Sequence, residues 1–179
     1  MEPNIKTLKI DNVKGKSLTK YNEFTKNQIL QIKARYDLAL ATVILMPFKH
    51  ALKQIYRGYH LVHVPSSSKS DKTRGFNHVK VMFQLLELPQ LDVFEKANNY
   101  KQAKRSINQR EEISKAIKLK SNVILPPKIL LVDDIVTSGA SLTTCLELLK
   151  QQKVKRLAFL VFADNCRNIR QKRYQIKTK

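Results

Sequence analysis

The residues of this chain that are best suited to chemistry lie in one segment, residues 133–141. Two adjacent carboxylates, Asp133 and Asp134, open it directly after an apolar run at residues 129–132. Hydroxyl and glycine residues follow, up to the start of a helical pattern. Backbone N–H groups at a helix N-terminus bind phosphate, glycine lets the backbone approach closely, and carboxylates accept hydrogen bonds from sugar hydroxyls. The segment therefore predicts a site for a sugar phosphate.

Each part of the segment receives a predicted role. Asp133 and Asp134 would hold the sugar by accepting hydrogen bonds from its hydroxyls. The remaining residues would bind phosphate through backbone amides and hydroxyls: Val136, Thr137, Ser138, Gly139, Ala140 and Ser141. The alternative is a helix start with Thr or Ser as its N-cap. A cap needs only one hydroxyl, and two acids after four buried residues are costly unless they face a polar site, which favours the ligand site.

The patterns on either side predict the elements that position this segment. Residues 129–132 are typical of a central parallel strand covered on both faces. A helix with Leu142 and Cys145 on its apolar stripe follows, and residues 157–162 predict the neighbouring parallel strand. Strand, helix and strand form a βαβ crossover. The acidic turn then lies at the carboxyl ends of the strands, where ligands bind in parallel sheets.

The rest of the chain predicts further elements around this crossover. Residues 61–64 and 91–94 predict strands, residues 79–88 a helix, and residues 24–48 one or two helices. We therefore expect an α/β fold, a parallel sheet flanked by helices, with an N-terminal helical segment.

Polar stretches set the expected domain boundaries. We expect a loose polar leader at residues 1–20, one domain at 21–164 that includes the N-terminal helices, and a basic tail at 165–179. Within the domain, the polar stretch at residues 95–112 predicts a mobile loop.

The charge of the chain predicts an anionic partner. Lys and Arg total 34 against 14 Asp and Glu, a formal net charge of +20. One phosphate ligand could use only a few of these cations, so the excess indicates nucleic acid, an acidic protein or a membrane surface. The alternative is an A/T-rich genome that favours Lys codons without function. Hydrophobic residues make up 42%, which excludes a fully disordered chain.

Zinc binding and secretion are not predicted. Cys145 and Cys166 lie far apart, without a His or Cys at ligand spacing. The histidines, His50, His60, His63 and His78, show no such spacing either, and we assign them no chemistry. The N-terminus lacks a signal pattern, and no stretch approaches eighteen uninterrupted apolar residues. We expect a soluble cytoplasmic protein without a membrane span.

Residues 129–142 resemble the phosphoribosyl pyrophosphate signature of type I phosphoribosyltransferases. Upstream, Val64-Pro65 and the segment Arg74-Gly75-Phe76-Asn77 are similar to the first-strand and loop pattern of the ComF family, a branch associated with DNA uptake in competent bacteria. Gln102 and Arg110 match the Gln and Arg of that family's mobile loop, and Tyr21-Asn22-Glu23 resembles its entry into the first helix. The resemblance covers residues 21–163 and implies a type I phosphoribosyltransferase-like sheet.

The chain also departs from the ComF pattern. The family commonly begins with a Cys-rich zinc module, and here no cysteine precedes Cys145. His78 replaces a frequent Gln, and Ile113 replaces an Asn in the mobile loop.

The resemblance implies a ligand, a cofactor and a reaction. Phosphoribosyl pyrophosphate would bind with Mg²⁺, which the ligand carries and which Asp133 and Asp134 could contact. In the reaction these two carboxylates would hold the ribose and stabilise positive charge on it. Cations of the Ser-rich loop that follows Pro65 would neutralise the pyrophosphate, and Ser67 of that loop would contact the ligand. Arginines of the mobile loop would close over it. The residues implied for these roles are Ser67, Lys69, Lys72, Arg74, Arg105 and Arg110.

Three functions stay open at this point. The first is a ComF-like phosphoribosyltransferase-domain protein that acts in competence, DNA uptake and transformation by handling single-stranded DNA with other competence proteins. The second is a catalytically active phosphoribosyltransferase of nucleobase or nucleotide metabolism. The third is a regulator that senses the ligand without chemistry. No residue set selects a purine or a pyrimidine base.

Overall fold

The computed structural model describes residues 5–65, 75–96 and 116–165. The helices in this part are α1 (Glu23–Ala34), α2 (Leu38–Val43), α3 (Lys49–Ile55), α4 (His78–Gln84) and α5 (Ala140–Lys150). The strands are β1 (Lys6–Ile10), β2 (Val13–Lys20), β3 (His60–His63), β4 (Gln90–Leu91), β5 (Phe94–Lys96), β6 (Ile117–Leu119), β7 (Lys128–Val136) and β8 (Arg156–Asp164).

A six-stranded sheet in the order β1-β2-β8-β7-β3-β4 forms the centre of the molecule. Strand β7 lies between β8 and β3 and pairs with both in parallel. Strand β2 pairs in parallel with β8, and β4 pairs in parallel with β3. Strand β1 pairs antiparallel with β2. A separate antiparallel pair is formed by β5 and β6. The predicted α/β class and the central βαβ crossover are confirmed.

Helices cover both faces of this sheet because the central strands present apolar side chains to each side. Leu130 and Phe162 belong to the core under helices α1 to α4. Leu131 and Phe159 belong to the core under α5, together with Cys145, which is fully buried. Burial raises the pKa of the Cys145 thiol, and the nearby Asp133 carboxylate adds to the shift. Cys145 is therefore a core residue, as its place on the apolar stripe predicts.

The predicted elements outside the crossover are also present, with different ends. Strand β3 and helix α4 match the expected strand at 61–64 and the start of the helix at 79–88. The expected strand at 91–94 is divided between β4 and β5, which belong to different sheets. The helical pattern expected at residues 24–48 forms α1, α2 and a 3₁₀ turn that contains Pro47, and a further helix, α3, follows directly after it.

The residues Leu38–Ile55 together are long and apolar enough, by length and composition, to cross a membrane. In the structure the run is divided into α2, the 3₁₀ turn and α3, and it contributes Leu45, Phe48 and Leu52 to the core. Length and composition alone are a weak indication of a membrane segment, and the buried side chains show that part of the run serves the fold.

The expectation of a loose leader is wrong for residues 6–20, which form the β1–β2 hairpin of the central sheet. Leu8, Ile10 and Val13 face the core under α5. Asp11 and Asn12 adopt positive φ angles of 45° and 61°, as a tight hairpin turn requires. Lysines alternate with the apolar residues here, so the composition is polar although one face is apolar. Residues 1–4 lie outside the described residues.

Gly15 provides a test of this hairpin. It lies in β2 opposite Phe159, whose aromatic ring would overlap any side chain at position 15. Phe159 is fully buried and cannot move aside without disturbing the core. We expect Gly15→Ala to lower the free energy of unfolding by about 1–3 kcal/mol, measured by urea denaturation. The neighbouring exposed Lys14→Ala is the control, with an expected change below about 0.5 kcal/mol; equal stability of both variants would contradict this packing.

Candidate functional site

Strand β7 delivers the candidate segment to the carboxyl edge of the sheet. After Val136 the chain passes Thr137 and Ser138, both exposed, and reaches Gly139 with φ at 72°. Gly139 is the N-cap of α5, where its left-handed conformation carries no side-chain penalty. The capping alternative required Thr or Ser as the N-cap residue. The residue there is glycine, which has no side chain that could cap the helix. The Ala140 N–H donates a long hydrogen bond to Ser138 Oγ at 3.4 Å. The N–H groups of Ser141 and Leu142, which follow, have no acceptor within the helix and are available to an anion.

A small cavity lies against this turn. It contains about 250 Å³ of free space, part of it open to solvent. The lining comes from the last residues of β7, the turn and the first residues of α5: Asp133, Ile135, Val136, Thr137, Ser138, Gly139, Ala140, Ser141 and Leu142. The predicted phosphate-binding residues and one of the two predicted acids are thus brought together around one space.

Asp133 and Asp134 occupy different surroundings because successive side chains of a strand alternate between its faces. Asp133 is half-buried and lines the cavity, and its Oδ1 accepts a hydrogen bond from the Asp134 N–H at 2.9 Å. Burial and the negative charge of Asp134 raise the pKa of Asp133 well above its usual range. A cation or hydroxyl donor in the cavity would favour its ionised form.

Asp134 is directed away from the cavity lining and is 5% exposed. Its Oδ2 lies 3.0 Å from His78 Nε2 and also contacts Lys33 Nζ, and its Oδ1 accepts a hydrogen bond from the Ile135 N–H at 2.7 Å. Burial alone would raise the pKa of Asp134, but the His78 hydrogen bond and the Lys33 charge outweigh it and hold that pKa well below its usual range. This carboxylate is used by the protein itself, and its predicted contact with a sugar does not fit the geometry.

His78 and Lys33 are residues that the sequence did not reveal as part of the site. His78 is the first residue of α4, 4% exposed, behind Asn77, whose side chain caps the helix by accepting the Lys80 N–H at 2.9 Å. No chemistry was assigned to His78 from the sequence, and the structure gives it a buried partner, the Asp134 carboxylate. The departure of His78 from the family's Gln was the only available signal. Lys33 lies in the last turn of α1, with no local pattern that points to Asp134.

The chain before the Ser-rich loop reaches the same edge of the sheet. The Val64 N–H donates a hydrogen bond to the Val132 carbonyl at 3.0 Å, so β3 ends beside the start of the acidic segment. The predicted ligand residues Ser67, Lys69 and Arg74, and Lys72 with them, lie outside the described residues. The same holds for Gln102, Arg105 and Arg110, for the expected mobile loop beyond Lys96, for Cys166 and for residues 166–179. Their roles stay predictions.

A metal site made by the protein alone is not found in the described ranges 5–65, 75–96 and 116–165, which contain no group of three or more His, Cys, Asp or Glu placed to hold one ion. Asp133 is the carboxylate that lines the cavity, and Asp134 is paired with two cationic side chains. A single carboxylate beside a phosphate-binding turn suits a Mg²⁺ ion that arrives on a phosphate ligand and keeps most of its water.

Comparison with known proteins places this site in a family. The sequence model of the phosphoribosyl transferase domain matches residues 47–178, and the chain belongs to this family. The expected ComF resemblance is confirmed by two curated relatives, each named competence protein ComFC. The one from Streptococcus pneumoniae is 29% identical over 143 residues, 80% of this chain and 64% of the relative. The one from Bacillus subtilis is 28% identical over 130 residues, 72% of this chain and 54% of the relative.

The chain therefore spans between about half and two thirds of the length of these two relatives. Among solved structures, adenine phosphoribosyltransferase from Saccharomyces cerevisiae is 14% identical with a TM-score of 0.48, covering 89% of this chain and 83% of that one. A hypoxanthine phosphoribosyltransferase from Staphylococcus aureus is 15% identical with a TM-score of 0.42, covering 69% and 62%.

Proposed function

We propose that this protein binds the ribose 5-phosphate group of phosphoribosyl pyrophosphate in the cavity between Asp133 and the turn before α5. The observation that carries the proposal is the joint lining of this cavity by Asp133, the turn residues and the first residues of α5. The amides at residues 137–141 and the hydroxyls of Thr137, Ser138 and Ser141 would hold the phosphate. Membership in the phosphoribosyl transferase domain family supports this choice of ligand.

The same geometry supports proposed places for the sugar and the metal. Asp133 would accept hydrogen bonds from ribose hydroxyls, and Asp134 would fix the strand behind it through His78 and Lys33. Mg²⁺ would enter on the diphosphate of the ligand and neutralise part of its charge. The predicted loop cations Lys69, Arg74 and Arg110 would neutralise the remainder.

In the cell, the protein would act in competence, DNA uptake and transformation as a cytoplasmic partner of single-stranded DNA and other competence proteins. The two curated ComFC relatives support this role. The net charge of +20 supports it as well, because one sugar phosphate ligand cannot use so many cations.

The ligand proposal is tested by calorimetric titration of the purified chain with phosphoribosyl pyrophosphate and Mg²⁺. We expect saturable binding, competition by ribose 5-phosphate, and an affinity that falls when Mg²⁺ is removed. Ribose without phosphate is the control and should not compete, because the amides of the turn recognise the anion. No heat and no thermal stabilisation at millimolar ligand would refute the proposed ligand.

A second candidate, an active phosphoribosyltransferase, is favoured by family membership itself. Incubation with phosphoribosyl pyrophosphate, Mg²⁺ and a panel of purine and pyrimidine bases separates the two functions. Release of pyrophosphate that requires one particular base would establish transfer chemistry. Binding without release would favour a protein that senses the ligand, and its affinity for nucleic acid should then change when the ligand is bound.

A further inference from the structure

A row of cations crosses the central sheet at the edge opposite the candidate cavity. In the β1–β2 hairpin, Lys9 pairs directly with Lys14, and in the crossover Lys128 pairs directly with Arg156. These two cation pairs are neighbours in the sheet. Gly15 pairs with Phe159, so Lys14 lies beside Ala158, which is two residues from Arg156. We define these four side chains, together with Lys16, as the basic stripe.

The members of the basic stripe share one face of the sheet. Lys128 lies two residues before Leu130 in β7, and Lys16 pairs with Leu160 of β8. Leu130 and Leu160 both belong to the core under α1 to α4. Side chains two residues apart on a strand, and those paired across strands, point to the same side. The other face of the hairpin carries the buried Leu8, Ile10 and Val13. The stripe therefore spans four adjacent strands, a width of roughly 14 Å at about 4.8 Å per strand.

The five cations of the basic stripe have no carboxylate partner in the part of the chain that the structure describes. Lys9, Lys14 and Arg156 are exposed, Lys16 and Lys128 are half-buried, and none of the five forms an ion pair there. The nearest acid in sequence, Asp11 in the hairpin turn, contacts Lys150. In each of the two pairs, Lys9 with Lys14 and Lys128 with Arg156, two like charges lie directly opposite each other, and this destabilises a sheet. An anionic partner that lies across the strands would remove this repulsion.

We propose that the basic stripe binds the phosphodiester backbone of nucleic acid, on a surface separate from the candidate sugar phosphate cavity. The regular spacing of cations along a line suits a linear polyanion, in which successive phosphates meet successive side chains. A membrane surface is less suited, because membrane-binding faces also bury large apolar side chains. The exposed large apolar residues that the structure describes lie outside β1, β2, β7 and β8. That the nucleic acid is single-stranded DNA rests on the proposed function.

The test is fluorescence anisotropy of a labelled oligothymidylate, titrated with the full chain over a range of salt concentrations. The stripe variant carries Lys9→Gln, Lys14→Gln and Arg156→Gln. The matched control carries Arg35→Gln, Lys80→Gln and Lys118→Gln, which removes the same charge from exposed positions elsewhere. Loss of three phosphate contacts should reduce the salt slope by about 2 and weaken binding about 100-fold near 0.1 M salt. The control should keep the slope of the natural chain.

Folding is checked separately by the thermal midpoint. The stripe variant should be at least as stable as the natural chain, because it removes like-charged neighbours. Equal loss of binding in both variants would overturn the stripe, since net charge alone would then explain the affinity. Binding by the natural chain that the stripe variant retains would overturn it as well.

The partner and the proposed function can fail independently of the stripe. Binding of the natural chain to phosphatidylserine vesicles but not to oligothymidylate would overturn nucleic acid as the partner and point to a membrane. An Asp133→Asn variant should keep its DNA affinity, because the cavity lies at the other edge of the sheet. If phosphoribosyl pyrophosphate does not bind but the stripe variant loses DNA, the ligand proposal fails and the stripe stands.

Discussion

The double variant Lys33→Met, His78→Leu is expected to lower the free energy of unfolding by about 3–5 kcal/mol at pH 7. These two side chains are the cationic or donor partners of the Asp134 carboxylate, whose side chain is 7% exposed. Without them, the Ile135 N–H is the one donor that the described residues 5–65, 75–96 and 116–165 leave to a buried negative charge. An uncompensated buried charge costs far more than a buried pair contributes.

The pH dependence gives this prediction a definite sign. In the natural chain the pKa of Asp134 lies below its usual range, so its contribution to stability is present above the unfolded pKa of about 3.9 and is lost as the pH falls. In the double variant, burial without partners should raise that pKa. The penalty should then be largest at neutral pH and should shrink on acidification, as the carboxyl takes up a proton.

A triple variant that adds Asp134→Asn supplies the control. It removes the buried charge, and its amide oxygen can still accept the Ile135 N–H. We expect it to recover most of the stability lost in the double variant, measured by urea denaturation at pH 7 and pH 4. If the triple variant is no more stable than the double variant, the cost comes from packing and the charge explanation is wrong.

The sequence predicted the central crossover well because its strands are buried on both faces and read as uninterrupted apolar runs. The same signal misplaced the end of β7. The apolar run stops at Val132, but the strand continues to Val136, so both acids lie within it. Strand alternation then separates Asp133 from Asp134, whereas a turn beginning at residue 133 would have allowed both to face the ligand.

Two further differences have equally local causes. The β1–β2 hairpin was hidden because most of its outward residues are lysines, and a strand with one solvated face has a polar composition overall. The ion pair between Lys33 and Asp134 joins residues far apart in the chain, on two elements that the fold brings together. No local pattern of charge or spacing specifies such a contact. The cavity could be predicted from one segment of the sequence. His78 and Lys33, which hold the Asp134 carboxylate, could not be predicted in this way.

Asp133→Asn is expected to leave the fold intact and to weaken binding of phosphoribosyl pyrophosphate about 10- to 100-fold. The amide oxygen of the new side chain would still accept the Asp134 N–H, so the local backbone keeps its hydrogen bond. What is lost is a charged acceptor in the cavity, and a hydrogen bond to a charged group contributes about 1.5–3 kcal/mol. Calorimetric titration in the presence of Mg²⁺ measures the change.

The same variant should lose ligand affinity but should not lose stability. Because burial and the Asp134 charge raise the pKa of Asp133, its ionised form is less favourable in the folded protein than in the unfolded chain. At neutral pH the asparagine variant should therefore be as stable as the natural chain or more stable. The difference should disappear below the unfolded pKa of about 3.9, where both proteins carry a neutral group.

Glu147→Gln is the matched control, since Glu147 is an exposed acid on α5 and does not line the cavity. It should leave the ligand affinity unchanged. Loss of affinity in Asp133→Asn without loss of stability would identify a carboxylate kept for a ligand at an energetic cost to the fold. Unchanged affinity would leave Asp133 without a role in binding, and the phosphate-binding turn alone would have to account for recognition.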